Sequence, residues 1–157
     1  MGNYGSIIPA DTANGSGVRV SIFLSGCSHH CEGCFNSELW DFNYGTPVTD
    51  IVINNILEML KPTYIKGLSI LGGEPFQNGS TLDICKAVKE AYPDKDIWVW
   101  TGYELKQIEE STLLDYIDVI VDGKFEKDLA DPSLAFRGSS NQKIWIKDKN
   151  GRWNKVD

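Results

Sequence analysis

Apolar positions recur along the chain in two rhythms, one strand-like and one helix-like. Val18 to Leu24 (VRVSIFL) is β-branched and aromatic and predicts a first strand. Thr46-Pro47 then predicts a helix start, with proline tolerated in the first turn. Val52, Ile53, Ile56, Leu57 and Leu60 share one helical stripe, which Pro62 ends. Leu68 to Leu71 predicts a second strand. Leu82, Cys85, Val88 and Ala91 repeat at helical spacing up to Pro93. Ile97 to Thr101 (IWVWT) is nearly continuously apolar, as in a strand covered on both faces. Glu104 to Tyr116, carrying Leu105, Ile108 and Leu113, predicts a third helix. Ile117 to Val121 and Lys143 to Ile146 predict the last two strands, and a polar tail from about 148 to 157 is expected to be loose.

Alternating strands and helices predict an α/β fold with a mostly parallel sheet. A chain of 157 residues fits one domain, 1–157. Every unusual motif follows a predicted strand. The stretch from Cys27 to Cys34 follows the first, Gly72-Gly73-Glu74-Pro75 the second, Thr101-Gly102-Tyr103 the third and Asp122-Gly123-Lys124 the fourth. Ligands of parallel α/β folds bind at that edge, so the motifs are expected to converge on one site.

Charge narrows the partners. With 15 Lys+Arg against 22 Asp+Glu, the net charge is −7. Such a chain lacks the basic footprint of a nucleic-acid binder or of an anionic-membrane surface. No apolar run approaches the roughly 18 residues of a membrane helix. No basic-then-apolar leader opens the chain, so a cytoplasmic, reducing compartment is expected. Met1-Gly2 followed by Ser6 matches the loose myristoylation pattern, and equally an ordinary N-terminus.

The four cysteines are Cys27, Cys31, Cys34 and Cys85. Three fall within eight residues at C-x3-C-x2-C spacing, too close together for a disulfide framework. Three thiolates on a loop can wrap a soft metal centre. A structural zinc would need a fourth ligand, with His29, His30 or Cys85 available. An iron–sulfur cubane with three cysteines would keep one iron free of protein ligands and open to a substrate. Cys85 also fits a small core residue on a helix. Taken singly, Gly-Gly-Glu-Pro and Asp122-Gly123 are ordinary turn sequences, and Trp98 and Trp100 ordinary sheet packing.

Together and in this order, the motifs resemble the radical S-adenosylmethionine (SAM) superfamily. That superfamily places C-x3-C-x2-C after the first strand and a Gly-Gly-Glu motif after the second. Asn14-Gly15-Ser16-Gly17-Val18-Arg19 is similar to the N-G-P-G-x-R stretch of glycyl-radical activating enzymes, with Ser16 in place of the proline. Cys27 to Asn36 resembles the cysteine loop of activases of anaerobic ribonucleotide reductase, Gly33 included. The stretches Trp98 to Tyr103, Val121 to Phe125 and Arg137 to Gln142 are similar to that subgroup too. Glu74 stands where close relatives often carry Asp. The likeness covers about residues 4 to 145.

The resemblance implies a compact partial (βα) barrel. It implies a [4Fe–4S] cluster on Cys27, Cys31 and Cys34, with SAM chelating the fourth iron. Reductive cleavage of SAM would yield a 5′-deoxyadenosyl radical, which would take hydrogen from a glycine of the reductase. Gly72 and Gly73 would let backbone approach the methionine end, and Glu74 would receive its ammonium. Lys124 would meet its carboxylate, Asp122 an amine or a ribose hydroxyl, and Phe35, after Gly33 and Cys34, the adenine. Implied partners are the large subunit of an anaerobic ribonucleoside-triphosphate reductase and a flavodoxin- or ferredoxin-type electron donor, with a homodimer as a further expectation. A radical SAM enzyme acting on a small molecule and a zinc-stabilised interaction module are the alternatives.

Overall fold

The computed structural model describes residues 1–156. Its strands are β1 (Asn3–Asp11), β2 (Val18–Leu24), β3 (Thr46–Pro47), β4 (Ile65–Gly72), β5 (Asp96–Trp100), β6 (Val119–Asp122), β7 (Lys143–Lys147) and β8 (Trp153–Val156). Helix α1 (Asp50–Leu60) follows β3 and α2 (Thr81–Ala91) follows β4. All eight strands join one sheet in the order β3-β1-β2-β4-β5-β6-β7-β8.

The expected mostly parallel sheet and helix-rich partial (βα) barrel are not what forms. Only β2·β4, β4·β5 and β5·β6 pair parallel. The pairs β1·β2, β1·β3, β6·β7 and β7·β8 are antiparallel. The chain therefore builds a mixed sheet with two α-helices. Parallel pairs need long crossovers, and helices serve only two of them here. The third crossover, from β5 to β6, runs through two short 3-10 turns, Leu105–Ile108 and Thr112–Asp115.

Those turns replace the helix expected over Glu104 to Tyr116. Ile108 and Leu113 are both buried, yet residues five apart on one α-helix point about 140° away from each other. Two turns bury both. Ser111 starts the second by accepting from Leu113 N–H at 3.3 Å. The helix expected from Thr46 is likewise displaced. Thr49 is the N-cap of α1, accepting from Val52 N–H at 3.3 Å, while Thr46 and Pro47 pair with Tyr4 and Asn3. Proline is tolerated in so short an edge strand.

Both sheet flanks were hard to read in the sequence. β1 carries Gly5 and Pro9, and its ladder shifts register between Ile8 and Asp11, where a residue without an N–H fits. β8 forms from the polar tail because Asp148 builds a tight hairpin. Its Oδ1 accepts from Asn150 N–H at 2.8 Å and Arg152 N–H at 3.0 Å.

Alternation along the central strands separates two faces. Val20, Ile22, Leu24, Leu68, Ile70, Ile97, Val99 and Ile120 form one core with Val52, Ile56, Leu60, Ile84, Cys85 and Val88 of the helices. On the other face Trp98, Val119, Val121 and Ile144 cluster with Trp100 and Phe136. Buried polar groups join that face. Arg19, fully buried, donates to Ser69 Oγ at 2.7 Å and the Leu68 carbonyl at 2.9 Å, and lies 5.5 Å from the Trp98 ring centre. Its Nη2 is 2.6 Å from Asp96 Oδ1.

Candidate functional site

The four parallel strands end side by side, and the segments that follow them line one cavity of about 490 Å³. Its walls include Cys27, Cys31, Cys34 and Phe35 after β2, Gly72, Gly73 and Glu74 after β4, Thr101 and Gly102 after β5, and Gly123 and Phe125 after β6. Convergence at this edge agrees with the order of motifs in the chain.

The cysteine loop is held at its base. Gly26 N–H donates to the Leu39 carbonyl at 2.7 Å and Cys27 N–H to the Trp40 carbonyl at 3.1 Å. His30 sits in the left-handed region (φ 50°), and its ring stacks on Trp40 at 4.4 Å. The three cysteines are free and half-buried. Burial pushes the Cys27 and Cys31 thiols above the ordinary value, and the Glu74 carboxylate adds to the rise at Cys27. Among the described residues, no three Cys, His, Asp or Glu side chains converge on a single metal ion. Three soft thiolate donors on one cavity wall suit an iron–sulfur cluster. The indole N–H of Trp40, in the same wall, is buried without a partner.

Glu74 fastens the strand ends together. The side chain is 1% exposed. Its Oε1 accepts from Gly102 N–H at 2.7 Å, His29 Nε2 at 2.8 Å and Thr101 Oγ1 at 2.9 Å. Its Oε2 accepts from Phe76 N–H at 3.0 Å and is 2.8 Å from the same Thr101 hydroxyl. An ionised carboxylate only accepts, so Nε2 of His29 carries its proton. The chain's own donors thus surround the group expected to receive an ammonium. The glycines before it answer to crowding. A Cβ on Gly73 would lie 2.6 Å from the Gly26 carbonyl oxygen, and one on Gly72 (φ +105°) 2.7 Å from Leu24 N. Gly102 is close-packed as well: a Cβ there would meet the His29 ring at 2.6 Å.

Not every expected residue enters the cavity. Asp122 and Lys124 line an adjoining cavity of about 810 Å³, which shares Cys31, His29 and Gly102 with the first. Asp122 accepts from Leu105 N–H at 2.7 Å through Oδ2. Gly33 takes a positive φ of 78° between the second and third cysteines. Phe35 is 76% exposed and 5.1 Å from the Phe125 ring centre, at the cavity mouth. Cys85 lies in the helix-side core, where burial drives its thiol up to about 12. His29 lends its Nε2 to Glu74 and packs edge-on to Tyr103 at 4.7 Å.

Other wall residues carried no expected role: Asn14, Trp40, Trp100, Phe136, Arg137 and Gln142. For Arg137 and Gln142 the signal was the block from Arg137 to Gln142, similar to the activase subgroup but given no task there.

The family described as a 4Fe-4S single cluster domain matches residues 13–145. Sequence and site together therefore define a single-cluster iron–sulfur domain. The anaerobic ribonucleoside-triphosphate reductase-activating protein of Pasteurella multocida (strain Pm70) is 47% identical over 152 residues, 91% of this chain and 96% of that protein. The protein so named from Escherichia coli (strain K12) is 45% identical over 149 residues, 90% and 97% of the two chains. That of Enterobacteria phage T4 is 42% identical over 146 residues, 91% and 93%. The chain belongs to the family of anaerobic ribonucleoside-triphosphate reductase-activating proteins.

Proposed function

We propose that this protein is the activase of an anaerobic (class III) ribonucleotide reductase and works as a radical SAM enzyme. One observation carries the reading. The three half-buried cysteines of a single-cluster domain share a cavity with the Gly72-Gly73 turn at the parallel strand ends. When bound, a reduced [4Fe–4S] cluster and SAM supply a 5′-deoxyadenosyl radical, which abstracts hydrogen from a glycine of the reductase.

The chain's share is binding, orientation and shielding. Cys27, Cys31 and Cys34 would hold the cluster. Glu74, through His29, Thr101 and Gly102, holds the cysteine loop against the ends of β4 and β5. It would receive the SAM ammonium from this same position. Gly72 and Gly73 keep the wall beside the cysteines free of side chains. Phe35 offers a ring at the mouth for the adenine. Asp122 and Lys124 line the adjoining cavity beside Cys31 and would serve a ribose hydroxyl and the carboxylate from there. The reductase large subunit is the proposed protein substrate, and a flavodoxin- or ferredoxin-type donor the proposed electron source. Self-association as a homodimer is a further part of the proposal.

The test is anaerobic reconstitution with iron and sulfide, reduction, and EPR with and without SAM. A [4Fe–4S]⁺ signal that changes shape on adding SAM, lost in Cys27→Ala, Cys31→Ala and Cys34→Ala, is expected. Mixing with the reductase and SAM should then produce a glycyl-radical signal. A cluster signal indifferent to SAM would sink the radical SAM reading. Zinc bound tightly, with no cluster formed, would sink the enzyme reading.

A further inference from the structure

The cysteine cavity contains one cationic side chain whose hydrogen-bond donors are largely unused. Among the described residues lining it, Arg137 is the one lysine or arginine. The carboxylate in the same wall, Glu74, is saturated by other groups. Arg137 is poorly satisfied by comparison. Its Nε is buried without a partner, and Nη1 reaches the Gln142 carbonyl only at 3.4 Å. Asp131 lies near enough to feel its charge but makes no bond to it, so the guanidinium keeps donors in hand.

The backbone that presents it is strained and braced. Phe136, the preceding residue, takes φ +61°, a conformation bulky side chains rarely adopt. Such strain persists where the surroundings over-determine it, often at ligand sites. Here Trp100 Nε1 donates to the Phe136 carbonyl at 2.8 Å, and the Phe136 ring packs edge-on to Trp98 at 5.2 Å. On the other side Gln142 Oε1 accepts from Gly138 N–H at 2.8 Å, while its Nε2 donates to the Gly123 carbonyl at 2.9 Å. The segment is pinned to the ends of β5 and β6, with Arg137 between the pins.

We propose that Arg137 receives the carboxylate of the amino-acid end of SAM in the cysteine cavity, the task otherwise expected of Lys124. The inference rests on the radical SAM reading above. A guanidinium with a free Nε matches a carboxylate through two parallel N–H···O bonds, which a lysine cannot reproduce. Lys124 is exposed and borders the adjoining cavity.

The experiment measures equilibrium binding of SAM and of its decarboxylated analogue to the reconstituted protein. It compares wild type, Arg137→Gln, Arg137→Lys and Lys124→Gln, with iron and sulfide content and the SAM-free EPR signal recorded for each. Arg137→Gln should weaken SAM by about 10- to 100-fold, the scale of a hydrogen-bonded charge pair. The analogue should bind it as it binds wild type. Arg137→Lys should fall between, and Lys124→Gln should lose less than Arg137→Gln. Equal SAM affinity in Arg137→Gln and wild type overturns the proposal. So does an equal loss for SAM and analogue, or a changed SAM-free EPR signal with SAM affinity intact, which would tie Arg137 to the cluster. If Arg137→Gln fails to hold a cluster, Arg137→Lys decides by the ratio of its losses for the two ligands. A wild type that forms the cluster and ignores SAM refutes the underlying reading instead.

Discussion

The two faces of the central sheet are built from alternate residues of the same strands, yet they are different materials. In β2 the odd steps Val20, Ile22 and Leu24 enter an apolar core beneath α1 and α2. Between them, Arg19 and Ser21 are equally buried but make hydrogen bonds, to Ser69 and Asp11 among others. Loops rather than helices cover this second face, and its carboxyl-terminal end opens into the cysteine cavity. The helix face holds the sheet by non-directional burial. The other face adds directional bonds, such as Arg19 to Ser69, to its own small apolar cluster around Trp98 and Val121.

The comparison predicts different failures on the two sides. The largest stability effect belongs to the helix face. Ile22→Ala, at a fully buried position, should cost about 2–5 kcal/mol through lost burial and a residual cavity. Chemical denaturation of the apo-protein reads this, and a cost near zero would show that the core can collapse around the gap.

Glu74→Gln comes next, from the site side. An amide has two donors and one acceptor oxygen, so its NH₂ must face donors that now point at the carboxylate. One or more of Gly102 N–H, Phe76 N–H and His29 Nε2 would be left unpaired, at about 1–3 kcal/mol. Retention of iron during gel filtration should fall together with stability. Unchanged retention would free Glu74 from its proposed hold on the cysteine loop.

The cysteines sharpen the contrast. Burial raises the Cys85 pKa to about 12, against about 8.5 in an unfolded chain. A raised acid pKa means that the folded state prefers the neutral thiol. The stability linked to it is therefore intact below about pH 8.5 and declines as pH climbs toward 12. Replacing Cys85 by Ala should flatten that alkaline decline in the apo-protein, measured by denaturation at several pH values. An identical pH slope in both proteins would count against it.

The smallest effect lies outside both faces. Lys89 Nζ is 2.6 Å from Asp118 Oδ2, with side chains 22% and 36% exposed. Solvent screens such a pair, so Lys89→Ala should cost about 0–1 kcal/mol. A larger loss would mark its second bond, to the Lys95 carbonyl at 3.0 Å, as the stronger tie.

Much of this was legible in the residues. Val18 to Leu24 is the strand its β-branched run announces, and α2 follows its apolar stripe closely. The boundaries that failed did so for local reasons. A cap at Thr49 outcompeted Thr46, and Ser111 interrupted what read as one helix. At the site, four motifs after four strands were enough to foresee convergence. What lay beyond reach was the use of each side chain. For Glu74, nothing in the residue pattern signalled that Thr101, Gly102 and His29 would donate to its carboxylate. Lys124 is the cation the motifs single out, and only the fold shows that it lines the adjoining cavity while Arg137 lines the one with the cysteines.

The sequence by itself determined the central strands, the helix stripes and a soft-metal site on three clustered cysteines. Periodicity, β-branching and cysteine spacing act over a few residues and need no distant partner. The tertiary structure alone decided the antiparallel flanks, the two faces of the sheet and the charge in the cavity. Strand direction depends on where the chain returns. A buried carboxylate or guanidinium takes its role from whichever donors and acceptors folding brings within about 3 Å.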